Sequence, residues 1–117
     1  MTNSLAIPVI LKRFENPDET RVFEKGKFEL VHLGGMTIGR ATYEPGWRWS
    51  EHVGKQTGKD AAAHIGYVLS GRLRIRDADG HETAVGPGDA FEIGPRHDAW
   101  VLGDEPCVAL DFEHLVI

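Results

Sequence analysis

Three of the six histidines in this chain, His52, His64 and His97, fall where short apolar runs meet turn-forming residues. Imidazole is the commonest protein ligand for divalent transition metals, and three protein ligands plus an open position form the usual catalytic arrangement. Taken singly, each of the three reads as a packed or surface histidine. Aromatic residues stand close by in the chain: Trp47, Trp49, Tyr67 and Trp100. Trp47 and Trp49 alternate with Arg48, so one side of that segment is strongly aromatic. Such a face suits either a small organic ligand at a barrel mouth or a dimer interface. His32 shares a face with Phe28 and Leu30, which reads as a structural histidine or an extra inward ligand. Glu51 and Asp98, each beside a histidine, read as solvated charges, with supporting or general-base roles as the alternative. Cys107 reads as a buried, inert thiol, since no base is evident near it. His81 and His114 read as solvent-exposed.

The elements that must position these residues are strands. Fourteen glycines and six prolines divide the chain into short runs, and period-two alternation is clear in several. In Arg72–Asp77, Leu73 and Ile75 oppose three arginines. Phe91 and Ile93 oppose Glu92, and Val108, Leu110 and Phe112 oppose Cys107, Ala109 and Asp111. The pattern predicts half-buried antiparallel strands, apolar within and polar outside. Asp79-Gly80 predicts a tight type I′ hairpin turn, because glycine tolerates positive φ. Gly34-Gly35, Pro45-Gly46, Gly86-Pro87-Gly88 and Gly94-Pro95 mark further reversals. About nine or ten strands at this spacing predict an all-β sandwich or barrel. Residues 53–63, small and polar, read as an inserted loop. The run Asn16–Arg21 could precede either a short helical turn or an edge strand.

Composition narrows the function classes. A chain of 117 residues with one apolar core forms a single domain. The net charge of −5 argues against nucleic acid or an anionic membrane, and the basic residues read as scattered, with none clustered around aromatics. The single cysteine fits a reducing cytoplasm. The N-terminal apolar run lacks a basic leader and a cleavage site, and no run is long enough to span a membrane.

The segments GWRWSEH, HIGYVLSG and PGDAFEIGPRH together resemble the two signature motifs of the cupin superfamily. Gly46 followed by five residues and His52 matches the opening of the first motif, and Tyr67–Gly71 matches its close. Pro87-Gly88-Asp89 opens the second motif, which continues along a strand to Gly94-Pro95-Arg96 and His97. The resemblance covers residues 34–112 and implies a double-stranded β-helix, or jelly roll, preceded by an N-terminal arm over residues 1–20. In motif one, Gly54 stands at the second histidine position and His64 at the glutamate position. In motif two, His97 comes two residues early. The resemblance therefore implies a modified metal site of His52, His64 and His97. A neutral three-imidazole set favours zinc first, with nickel, iron or copper as alternatives. It also implies a homodimer with residues before Pro17 contributing.

The function expected is that of a metal-dependent enzyme, an oxidoreductase of dioxygenase type or an isomerase, acting on a small organic molecule. Trp47, Trp49, Tyr67 and Trp100 would contact that molecule. The alternative is a non-catalytic ligand-binding or sensor domain without a functional metal site.

Overall fold

The computed structural model describes residues 8–58 and 61–114, which carry nine strands. These are β1 (Glu19–Phe23), β2 (Gly26–Leu33), β3 (Met36–Tyr43), β4 (His64–Ser70), β5 (Leu73–Arg76), β6 (Glu82–Val85), β7 (Ala90–Ile93), β8 (Asp98–Val101) and β9 (Cys107–His114). All pairings are antiparallel. Six strands form one sheet in the order β1-β2-β3-β9-β4-β7, and a smaller sheet runs β6-β5-β8. The run Asn16–Arg21 leads into the edge strand β1.

The core lies between the two sheets. Ala41, Tyr43, Val68 and Cys107 from the large sheet meet Leu73, Ile75, Val85, Ala99 and Val101 from the small one. Trp47 joins the layers. Its carbonyl accepts from the Val101 N–H at 3.1 Å while its own N–H donates to the Glu44 carbonyl at 3.0 Å. Leu73, Ile75, Phe91 and Ile93 face inward, as their alternation predicts.

On β9 the inward face is the opposite of the expected one. Cys107 and Ala109 are 0% and 1% exposed, whereas Val108, Leu110 and Phe112 are only half-buried on the outer face. Register decides this: Tyr43 pairs with Cys107, Ala41 with Ala109 and Gly39 with Asp111. Bulk on the inward side would fill the cavity described below, so small residues occupy it. The alternation of β9 is legible in sequence, but which side faces in is not.

The type I′ geometry expected at Asp79-Gly80 is found instead at the Gly34-Gly35 reversal. Gly34 and Gly35, at φ +56° and +79°, form the two-residue β2–β3 turn with positive φ at both positions, as type I′ requires. Between β5 and β6 only Gly80 is positive, at +91°, and its N–H donates to the Asp77 carbonyl at 3.0 Å. That connection is a three-residue loop with glycine in the left-handed position, not type I′.

The expected loop over 53–63 is largely helical in its described part. A π-helical turn over Ser50–Gly54 continues into one α-helical turn, α1 (Lys55–Thr57), ended by Gly58 at φ +69°. Gly54 is required there because the Trp49 ring lies against it: an added Cβ would stand 2.3 Å from Trp49 Cζ3. Residues 59–60 of that stretch, residues 1–7 of the arm and the His114 side chain lie outside the described part. Among the described residues no helix is long and apolar enough to cross a membrane.

Candidate metal centre and ligand cavity

A cavity of about 140 Å³ opens between the sheets. Its walls are apolar, with Leu73, Ile75, Phe91, Ile93, Ala99 and Ala109 among them, and its polar groups include His64, His97 and Asp111. His64 opens β4 and His97 sits in the turn before β8. The two rings lie 5.2 Å apart between centroids.

Backbone carbonyls set the tautomers. His97 Nδ1 is 2.8 Å from the Gly94 carbonyl, and His64 Nδ1 is 3.2 Å from the Ala62 carbonyl. A carbonyl only accepts, so each Nδ1 carries the proton and each neutral ring leaves Nε2 with its lone pair free. This is the usual arrangement behind metal-ligating histidines. Burial pushes the His97 pKa down, and the neighbouring His64 acts in the same direction, against the Gly94 bond and Asp98. His97 is therefore neutral at pH 7.

Asp111 reaches the same space from β9. Its Oδ1 is 3.5 Å from His64 Nε2, close to the roughly 3.0–3.4 Å between two ligands that bind one ion at about 2.1 Å. Burial raises its pKa to about 6, against the pull of His64 whenever that ring is protonated, and Glu113 reinforces the rise. A carboxyl enclosed in this way, facing a free imidazole nitrogen, is chemically matched to a divalent cation. His64 Nε2 and Asp111 Oδ1 are thus spaced as two ligands of one transition-metal ion, whereas the donors of His64, His97 and Asp111 do not all lie within 4.8 Å of one another. The sequence singled out the alternation around Asp111 but not its part in the site, because β9 was expected to turn its other face inward.

His52 stands elsewhere. Its Nδ1 lies 2.9 Å from the Arg48 N–H and 3.2 Å from the Arg48 carbonyl, and its Nε2 faces Glu24 Oε2 at 4.0 Å. It lines a neighbouring cavity between β1 and the helical segment, together with Phe23, Phe28 and Val53. The structure brings His64 and His97 together and leaves His52 outside. His32 lines a third cavity beside β1, with its Nδ1 at 3.1 Å from Thr37 Oγ1.

The four aromatic candidates divide evenly. Trp47 and Trp49 line the central cavity. Tyr67 does not, since β4 turns it outward with Ile65 and Leu69. Trp100 lies on the outer side of the small sheet, with the Arg48 guanidinium 4.4 Å and that of Arg76 5.7 Å from its ring centre. The basic residues are thus less scattered than the sequence implies, since Arg74 also pairs with Trp100 across the strands. Acidic groups offset this cluster: Asp98 contacts Arg48 at 2.9 Å and Arg76 at 3.9 Å, and Glu82 lies 3.8 Å from Arg74.

Asp98 is not the solvated charge expected from sequence. Its side chain is 14% exposed, and it accepts from the Ser50 N–H, the Ser50 hydroxyl and Arg48 Nε at 3.0, 2.8 and 2.9 Å. Burial acts to raise its pKa, but these bonds outweigh it and hold the carboxyl below the usual range. Asp98 thereby anchors the start of the helical segment to β8.

Among the described residues, one set of three ionisable donors converges within 4.8 Å: Asp77, Asp79 and His81, on the β5–β6 hairpin. His81 is exposed there, as its sequence position implies. Asp77 Oδ1 already accepts from the Asp79 and His81 N–H groups at 2.9 and 3.0 Å, so its carboxylate shapes the loop. The set could also hold a cation, but at the surface, where water competes strongly for it.

Two antiparallel sheets enclosing a cavity, with histidines at the ends of its strands, define a jelly-roll barrel with an internal cavity. Residues 39–113 match the family model described as Cupin domain, and the chain belongs to that family. No curated protein sequence matches it. Among solved structures it is similar to a cupin-like protein of Thermotoga maritima, at 17% identity and TM-score 0.63 over 80% of this chain and 72% of that one. It is also similar to ectoine synthase from P. lautus, at 12% identity and TM-score 0.67 over 91% and 78%. Oxalate decarboxylase from Lactobacillus farciminis matches at 20% identity and TM-score 0.68, over 96% of this chain but only 35% of that one. At these identities the likeness is one of fold.

Proposed function

We propose that the protein is a metal-dependent enzyme acting on a small organic molecule in the central cavity, with the ion held by His64, His97 and Asp111. The observation that carries this reading is the pair of imidazoles with carbonyl-fixed Nδ1 protons, beside a buried carboxyl 3.5 Å from one of them. When bound, the ion would supply Lewis-acid polarisation of a substrate oxygen. Zinc comes first, and ferrous iron is the main competitor, because two histidines and one carboxylate form a set that iron also takes. His97 stays neutral through burial and keeps its lone pair available. Phe91, Ile93, Leu73 and Ile75 exclude water from the reacting end. Burial holds the Tyr43 phenol well above its ordinary pKa, so it remains a neutral hydrogen-bond donor. The chemistry would be oxidoreductase or isomerase type in a reducing, cytoplasmic setting, which the single buried thiol suits.

The test is metal content by elemental analysis of untagged protein loaded separately with zinc and ferrous iron. His64→Ala, His97→Ala and Asp111→Ala should each lose most of the metal, while His52→Ala and His81→Ala keep it. Retention by all three ligand variants, or loss in His81→Ala alone, would sink the assignment. A turnover screen on small acids, phenols and sugars then separates an enzyme from a binding domain.

The reading includes a homodimer. Val9, Ile10 and Leu11 are 94%, 62% and 67% exposed, and Ile65, Tyr67 and Leu69 form a second exposed apolar stripe on the large sheet. A second copy offers both surfaces a partner.

A further inference from the structure

The outer side of the small sheet is basic in a protein that as a whole carries −5. Leu73 and Ile75 of β5 face the core, so alternation sends Arg74 and Arg76 outward, and Arg72 continues their row. Across the ladder Arg74 stands opposite Trp100 and Arg76 opposite Asp98, while Arg48 bridges to Trp100 from the other side. The basic side chains of this face are all arginines.

Two carboxylates share the face, and they do not neutralise it. Asp98 is 14% exposed and already accepts from the Ser50 N–H, the Ser50 hydroxyl and Arg48 Nε, so it is committed to the helical segment. Arg76 stands 3.9 Å from it and Arg74 3.8 Å from Glu82, both beyond hydrogen-bond length. Arg72 is exposed and pairs with no carboxylate among the described residues. Four positive charges thus meet two negative ones, against the repulsion of like charges in one row. Trp100 holds part of the cluster in place, with the Arg48 and Arg76 guanidiniums 4.4 and 5.7 Å from its ring centre. A guanidinium stacked on a ring keeps its edge N–H donors for an acceptor beyond it. Arginine and tryptophan are also the residues that recur at the energetic centres of protein interfaces.

We propose that this face docks an extended acidic segment of another protein, whose carboxylates at every second residue meet Arg72, Arg74 and Arg76. Charge complementarity and spacing support it. Alternate side chains on a strand stand about 7 Å apart, the same repeat as in an extended peptide, and each guanidinium can take a carboxylate through two N–H groups. A compact anion would engage only one end of the row. The apolar stripe assigned above to a second copy lies on the large sheet, so the arginine face stays open in a homodimer. The docking is independent of metal in the central cavity.

The probe is a synthetic peptide of alternating Glu and Ser, titrated into the 15N-labelled full chain at low ionic strength. A second peptide of the same composition carries its glutamates in one block. The Trp100 indole resonance is the readout, assigned by its loss in Trp100→Phe, or by elimination with Trp47→Phe and Trp49→Phe should that variant not fold. The alternating peptide should shift this resonance, bind more tightly than the block peptide, and be released at about 1 M salt, where screening acts within about 3 Å. Arg72→Gln, Arg74→Gln and Arg76→Gln should each weaken binding about 2- to 5-fold, the scale of partly exposed ion pairs, while Lys55→Gln on α1 should not. Arg72 pairs with no carboxylate in the fold, so its variant tests docking without a folding risk. The proposal is overturned if the alternating peptide does not bind at millimolar concentration, if both peptides bind equally, or if the three arginine variants bind like Lys55→Gln. A single-stranded oligonucleotide of equal charge that binds more tightly than the peptide gives the face to nucleic acid, and self-association lost in the arginine variants gives it to a second copy. Either result also overturns the proposal.

Discussion

Replacing Asp111 by Asn should make the metal-free barrel more stable while sharply weakening its hold on metal. The side chain is about 20% exposed, and burial lifts its pKa from 3.8 to about 6. Each pKa unit corresponds to about 1.4 kcal/mol, so ionised Asp111 costs the metal-free fold up to about 3 kcal/mol at pH 7. The sign follows from the folded pKa lying above the unfolded one. The cost is absent below pH 4, where the group is protonated in both states, and grows to its full value as pH rises past 6. Asn has nearly the same shape and no charge, so Asp111→Asn should gain about 1–3 kcal/mol at pH 7.5 and nothing at pH 3.5. Urea unfolding in chelator at both pH values measures this, with the midpoint compared at constant slope. Zinc at about a hundred times its dissociation constant should stabilise the parent by about 2.7 kcal/mol and Asp111→Asn by far less. A variant that loses stability in chelator at pH 7.5, or gains equally at both pH values, would refute the view of Asp111 as an enclosed carboxylate held for a cation.

Asp98→Ala removes four bonds from one carboxylate, two of them to Ser50 and one to the adjacent Ala99 N–H, and should cost about 2–3 kcal/mol, since hydrogen bonds to charged groups contribute about 1.5–3 kcal/mol and Arg48 is partly solvated. Hydrogen exchange should rise first over residues 50–57, and uniform protection there would count against an anchoring role. Because the folded pKa of Asp98 is depressed, its contribution is full above pH 4 and fades as acid titrates it, so parent and Asp98→Ala should converge in stability at low pH. Cys107 is fully enclosed, and burial pushes its thiol up to about 12, with Asp111 adding to the rise. Ellman's reagent should therefore leave the native protein unmodified at pH 8 and react once urea unfolds it, and rapid native labelling would contradict this burial. Charges placed on the exposed stripe by Ile65→Asp and Tyr67→Asp should convert the proposed homodimer to monomer by light scattering at micromolar concentration. A parent that is already monomeric there rules out the pairing.

The sequence determined the class of architecture. Period-two alternation in β5 and β7, glycine pairs at reversals and the motif segments from Gly46 to His97 are local signals, and local signals survive without a three-dimensional frame. It also identified His64, His97, Trp47 and Trp49 as residues of interest, because histidines and tryptophans at strand ends are conspicuous by type. Only the tertiary structure decided which of these residues meet. The pairing of β9 with β3 and β4 set Asp111 inward beside His64, and a shift of one residue would have turned it to the outer face. The helical segment over Ser50–Thr57 carried the His52 ring to another cavity. Neither outcome could be read along the chain, because both depend on partners brought together across the barrel: 47 residues separate His64 from Asp111, and 48 separate Ser50 from Asp98.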